Sequence, residues 1–129
     1  MTRPIPQNHK EIINEERRFK KCWLCGSSNI EINHTFIWAG RQINELWAYS
    51  ALCKEHHTGK NGFHSNRETK DLVEWLCLRE VDPIAVELKY PKANWIKLYD
   101  YLKFKYVGNP TRGELPTIPK IKTHRLLEE

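Results

Sequence analysis

From residue 30 to residue 38 the chain reads Ile-Glu-Ile-Asn-His-Thr-Phe-Ile-Trp. Alternating apolar positions rich in Ile, Phe and Trp predict a β-strand there. LWAYSALC, residues 46–53, predicts a second short strand running into Cys53, with AGRQINE as the connecting loop. The segment CKEHHTGKNGFHSN, residues 53–66, starts like a helix, but Gly59 and Gly62 weaken that expectation. The period then becomes helical. Residues 67–79 give Leu72, Val73, Trp75 and Leu76 a wide apolar face, and Ser65 or Asn66 supplies a cap. Asp82-Pro83 is a start signal for a short helix over PIAVELKY. A last helix is expected over about 92–106, with Trp95, Leu98, Tyr99, Leu102 and Tyr106 near one face and Gly108 at its end.

The two ends carry no sustained period. Residues 1–15 read as a loose arm, and residues 108–129, with three prolines, read as a mobile basic tail. Between them lie an α+β core over 16–80 and a helical extension over 81–107. The length of 129 residues argues for one domain. A hydrophobic content of 40% and five Trp suffice for a small core and argue against a disordered chain. No apolar run approaches the roughly 18 residues of a membrane span. The N-terminus MTRPIPQNHKEI has no apolar stretch of the secretory kind, so a cytoplasmic protein is expected.

Charge sharpens the picture. Lys and Arg number 21 against 16 Asp and Glu, a net +5. Residues 89–125 hold nine basic and two acidic side chains, and residues 17–21 add a local basic cluster. The expected reading is a phosphate-contacting surface that includes Lys97, Lys103, Lys105, Lys120 and Lys122. The competing one is an ordinary solvated helix face.

Four cysteines occur. In a reducing compartment they stay free thiols. Cys77 lies in VEWLCLRE and reads as a small buried hydrophobe. Cys22-x-x-Cys25 is matched by Cys53-x-x-His56 after 27 intervening residues. Two short ligand pairs of thiolate and imidazole suit a closed tetrahedral zinc site. Further histidines remain. His34 falls on the first strand, and His57 follows the ligand His56. Asn61 and His64 lie four and seven residues after His57, on the same face if that segment is helical. These residues would place imidazoles around a second, open metal.

Cys22-Trp-Leu-Cys25, then Ile30-Glu-Ile-Asn-His34, then Leu52-Cys-Lys-Glu-His-His57 resembles the HNH endonucleases, zinc-stapled members of the His-metal finger group. The likeness covers about residues 20–66 and is nearest the small stand-alone proteins of phages and prophages. It implies a zinc-bound ββα-metal core with a helical C-terminal extension, and metal-dependent hydrolysis of DNA phosphodiester bonds in a host cytoplasm. His34 matches the general base, and Asn44 the middle asparagine that orients it. His57 matches the helix ligand of a catalytic Mg²⁺ or other divalent ion. Asn33 stands at the strand ligand position, and Asn61 or His64 supplies the last ligand. The chain departs from the pattern twice: His56 replaces a cysteine, and Asn33 replaces a His or Asp, bringing no charge to the metal.

Other classes remain. His9-Lys10-Glu11 with Cys22-x-x-Cys25 mimics a zinc deaminase, but the pieces are too close, and Lys21 stands where that pattern has proline. A non-catalytic zinc module that binds nucleic acid is the serious alternative. A protein-interaction domain with a structural metal is the third. His34 separates them, because only a nuclease loses its chemistry without it.

Overall fold

A computed structural model describes residues 5–108, so residues 109–129 of the expected tail lie outside the described residues. The elements run α1 (Gln7–Glu15), a 3-10 turn (Arg17–Phe19), β1 (Ile30–His34), β2 (Ile37–Trp38), β3 (Arg41–Gln42), a second 3-10 turn (Leu46–Ala48) and β4 (Tyr49–Cys53). Then come α2 (Lys54–Thr58), α3 (Arg67–Leu78), α4 (Pro83–Lys89) and α5 (Trp95–Tyr106). The architecture is α+β with two small antiparallel sheets. No described helix is long and apolar enough to cross a membrane.

β1 pairs with β4 in a register running from Ile30 opposite Cys53 to His34 opposite Tyr49. The single strand expected over 30–38 is broken at Thr35 and Phe36. Thr35, Phe36 and Ile37 are consecutive and all buried, which a regular alternation does not allow in a half-buried strand. The chain instead leaves the first ladder and forms a second ribbon, with Ile37 opposite Gln42 and Trp38 opposite Arg41. Ala39 and Gly40, both at positive φ, make its two-residue turn. The expected loop over AGRQINE therefore contains a strand.

α1 replaces residues 7–15 of the expected loose arm, whose residues 1–4 lie outside the described residues. Its Ile13 is buried with Phe19, Tyr49 and Ala51 against one face of the β1–β4 pair. Tertiary burial thus stabilises a short charged helix that local periodicity does not advertise. On the other face, Leu52 packs with Phe63 and Val73 beside Cys22 and Cys53.

The helices over 81–107 pack into the core. Trp95, Leu98 and Leu102 of α5 share one cluster with Phe36, Ile43 and Ala48 of the sheet region and Trp75 and Leu78 of α3. Trp95 and Leu102 have no exposed surface. The caps follow the sequence: Asn66 Oδ1 accepts from Thr69 N at 3.0 Å, and Asp82 Oδ1 from Ile84 N at 3.0 Å. α5 starts at Trp95 rather than about 92, because Lys92 adopts a φ of 67°.

α2 ends where Gly59 N donates to Glu55 O. The loop then folds back so closely that a Cβ at Gly62 would lie 2.8 Å from the Glu55 carbonyl oxygen. Phe63 N donates to His56 O at 2.7 Å, which returns the chain to α2 and leads it into α3.

Candidate metal centre and histidine groups

Cys22 and Cys25 lie in a tight knuckle before β1. Cys22 N donates to Ser27 O at 2.8 Å, and Gly26 N to Cys22 O at 2.9 Å, with Gly26 at φ 79°. Trp23 N donates to Ala51 O at 2.9 Å, which pins the knuckle to β4. Cys53 ends β4, and His56 lies on α2 three residues later. The strand-to-helix junction thus delivers the second ligand pair.

The four donor atoms lie within 4.8 Å of one another. His56 Nδ1 is 3.2 Å from Cys53 Sγ and 3.6 Å from Cys22 Sγ, and Cys25 Sγ is 3.6 Å from Cys53 Sγ. A tetrahedral zinc with ordinary bonds would set such atoms about 3.6–3.8 Å apart. All four cysteines are free thiols. Among the described residues this is the one group of three or more His, Cys, Asp or Glu side chains that can hold a metal such as zinc.

The electrostatics of the knuckle favour a cation. Burial pushes the Cys22 thiol up, but the backbone of Cys53, Leu24 and Cys25 and the Cys25 side chain outweigh it and bring it to about 6. The Ser27 backbone lowers Cys25, but burial and its Cys53 and Cys22 neighbours leave it raised. Neighbouring thiolates repel, so bare thiols share their negative charge poorly, and a bound cation relieves that repulsion. Cys77, by contrast, is buried away from the cluster, and burial pushes its thiol up to about 12.

The remaining histidines fall into two groups. Alternation along β1 turns Ile30, Ile32 and His34 to the α1 face, and Glu31, Asn33 and Thr35 to the face of α2 and α3. On the first face, His34 Nε2 is 2.8 Å from Asn44 Oδ1. Tyr49 OH donates to the same Oδ1 at 3.2 Å, and His9 Nδ1 is 2.8 Å from Tyr49 OH. On the second face, His57 Nδ1 is 2.6 Å from Glu31 Oε1, and the rings of His57 and His64 lie 4.8 Å apart.

Asn33, expected as a strand ligand, is only 3% exposed, and its Nδ2 donates to Ser50 Oγ at 3.1 Å. Asn61 enters through its backbone carbonyl, which accepts from Thr69 Oγ1 at 2.8 Å. The structure therefore brings His57 beside His64 and His34 beside Asn44, and directs Asn33 to β4. Glu31, Tyr49 and the α1 residue His9 also join these groups. Strand alternation places Glu31 on the face of Asn33, which was a signal for it. No local pattern announces His9.

The basic surface is partly neutralised by ion pairs. Lys105 Nζ lies 2.8 Å from Glu68 Oε1 and 2.9 Å from Asp71 Oδ2. Lys89 Nζ pairs with Glu45 Oε2 at 2.5 Å. Lys97 and Lys103 are exposed on α5.

Comparison with protein-family models, with curated proteins and with solved structures gives no match to this chain.

Proposed function

We propose that the chain is a metal-dependent endonuclease of the HNH kind, hydrolysing DNA phosphodiester bonds with His34 as general base. The observation that carries this reading is the 2.8 Å contact between His34 Nε2 and Asn44 Oδ1, on a strand pair joined to α2 by the Cys22, Cys25, Cys53, His56 cluster. A carbonyl oxygen only accepts, so His34 carries its proton on Nε2 and presents Nδ1 as its basic nitrogen. An imidazole in that state takes a proton from an attacking water near neutral pH.

Zinc at the four-ligand cluster has a structural role in this reading, because four protein ligands leave no open position. A divalent ion at a second site supplies charge stabilisation at the scissile phosphate and the leaving oxygen. His57 and His64 are the donors for it. Glu31 accepts from His57 Nδ1, an arrangement in which a carboxylate orients an imidazole and leaves Nε2 as the ligand atom. Imidazole donors suit a first-row transition ion better than Mg²⁺, which prefers oxygen. The expected Asn33 ligand is left out of this set, since its side chain is buried and held to β4 through Nδ2 by Ser50.

That same Asn33–Ser50 contact favours the second reading, a zinc-stabilised nucleic-acid-binding module without catalysis. One experiment separates the two. Wild type and His34→Ala, both shown to hold zinc, are incubated with supercoiled plasmid and Mg²⁺, Mn²⁺ or Ni²⁺. Nicking or linearisation by wild type alone supports the nuclease. DNA binding without cutting by either protein supports the binding module. Equal cutting by both rejects His34 as the base.

A further inference from the structure

We propose that His9 and Tyr49 are positioning residues that act through Asn44 to hold His34 in the tautomer with its proton on Nε2. The inference rests on the nuclease reading for its purpose, but not for its geometry. Four side chains from four parts of the chain form one hydrogen-bonded line. His9 comes from α1, Tyr49 from β4, Asn44 from the segment after β3, and His34 from β1. The contacts are 2.8 Å from His9 Nδ1 to Tyr49 OH, 3.2 Å from Tyr49 OH to Asn44 Oδ1, and 2.8 Å from Asn44 Oδ1 to His34 Nε2.

Proton counting gives the line a direction. A tyrosine hydroxyl has one proton. Tyr49 spends it on Asn44 Oδ1, so its oxygen accepts from His9 Nδ1–H. Asn44 Oδ1 then receives two donors, Tyr49 O–H and His34 Nε2–H. Two converging donors also decide which end of the Asn44 amide is oxygen, since the NH₂ group would face both of them as a third donor. Without the Tyr49 hydroxyl, Asn44 Oδ1 loses one of its two donors, and the orientation that faces its oxygen to His34 is favoured less. Each molecule that turns its NH₂ group toward His34 moves the His34 proton to Nδ1, the nitrogen that must stay basic.

Packing makes the line rigid. Tyr49 has no exposed surface. Its ring lies edge-on to His34 at 5.5 Å between centroids and edge-on to His9 at 5.7 Å. His34 and Tyr49 are also partners in the β1–β4 register, so the backbone holds both ends of that contact. Burial in a place of low polarity strengthens each hydrogen bond and raises the cost of leaving one unmade. This gives α1 a task beyond covering the sheet: it carries the terminal donor.

The test reads the tautomer directly. The zinc-loaded full chain is labelled with ¹⁵N-histidine, and the imidazole nitrogens of His34 are assigned by NMR in wild type, Tyr49→Phe, His9→Ala and His9→Asn. Wild type is expected to show His34 protonated on Nε2. Tyr49→Phe removes only a hydroxyl, and His9→Ala removes the terminal donor together with the ring that packs edge-on to Tyr49. Tyr49→Phe is expected to show His34 in mixed tautomers, and His9→Ala, which leaves the Tyr49 hydroxyl free to turn away from Asn44, a smaller shift in the same direction. His9→Asn places an amide N–H near the position of Nδ1–H and is expected to restore the wild-type pattern. Amide spectra and zinc content identify folded variants, and either folded variant decides the matter alone.

An Nδ1-protonated His34 in wild type, or an unchanged Nε2–H state in Tyr49→Phe or His9→Ala, overturns the proposal. With plasmid as substrate, the same two variants are expected to lose roughly 10- to 100-fold in kcat with little change in KM. A wild type that cuts nothing overturns the nuclease reading, while the tautomer measurement still decides the positioning line.

Discussion

Lys105 Nζ, on α5, lies 2.9 Å from Asp71 Oδ2, on α3, and Asp71 is only 1% exposed. Tyr101 OH donates to the same carboxylate oxygen at 2.8 Å, and Arg67 Nε to the other at 3.0 Å. A buried carboxylate is thus satisfied by three donors, two of them from the last described helix. Burial lowers Lys105, but Glu68 and Asp71 outweigh it and leave its pKa raised. The basic surface read from charge counting therefore has one of its members neutralised by a buried carboxylate.

Lys105→Ala is expected to destabilise the fold by about 1–2 kcal/mol, because it uncovers part of a buried charge whose other donors remain. Chemical denaturation of the variant and wild type at one ionic strength checks this. A change in DNA affinity without a change in stability would place Lys105 on the binding surface instead.

Replacing Lys97, Lys103, Lys120 and Lys122 by Ala should flatten the salt dependence of DNA binding. Each lost phosphate contact removes about 0.9 from the slope of log K against log salt on duplex DNA. Fluorescence anisotropy over a salt series measures it. An unchanged slope would show that phosphates are met elsewhere, for example at residues 17–21.

Removing zinc with a strong chelator, or replacing Cys53 by Ala, should abolish the cooperative thermal transition. The cluster joins the knuckle, β4 and α2, and a small domain draws much of its folding free energy from such a metal. Native mass spectrometry should find one zinc per wild-type chain and none in Cys53→Ala. A cooperative transition that survives metal loss would make the thiols ordinary core residues.

Glu45 accepts from Tyr90 OH at 2.6 Å and pairs with Lys89. Burial raises its carboxyl, but the contacts with Lys89 and Tyr90 outweigh this and hold the pKa below the usual 4.5. A depressed folded pKa contributes stability that is present above the unfolded value and is lost as pH falls through the folded value. Glu45→Gln is therefore expected to cost about 1 kcal/mol at pH 7 and progressively less below about pH 4.5. Urea denaturation of both proteins at pH 7 and pH 3.5 checks the sign. A cost that grows at low pH would contradict it.

A chain ending at residue 81 should fail to fold. It lacks Trp95, Leu98 and Leu102, which fill the cluster around Phe36, Ile43 and Trp75, and deleting even one such large side chain costs about 3–5 kcal/mol. A dispersed amide spectrum from residues 1–81 would show that the core folds without the extension.

Features that depend on neighbours along the chain are legible in the amino-acid sequence. Cys22 with Cys25, and Cys53 with His56, are paired by spacings that one knuckle and one strand-to-helix junction impose, and the structure gathers all four within 4.8 Å. Asn66 and Asp82 cap their helices because capping is local chemistry. Which distant residues meet is set by the folded packing. Asn33 bonds Ser50 because the β1–β4 register sets them opposite each other. Glu31 reaches His57 because α2 packs on the strand face that Glu31 shares. α1 becomes a helix because Ile13 finds Phe19, Tyr49 and Ala51 to cover, and that packing also brings His9 to Tyr49. Spacing in sequence is fixed by covalent geometry, whereas these contacts arise from packing free energy summed over the whole chain, which no short pattern records.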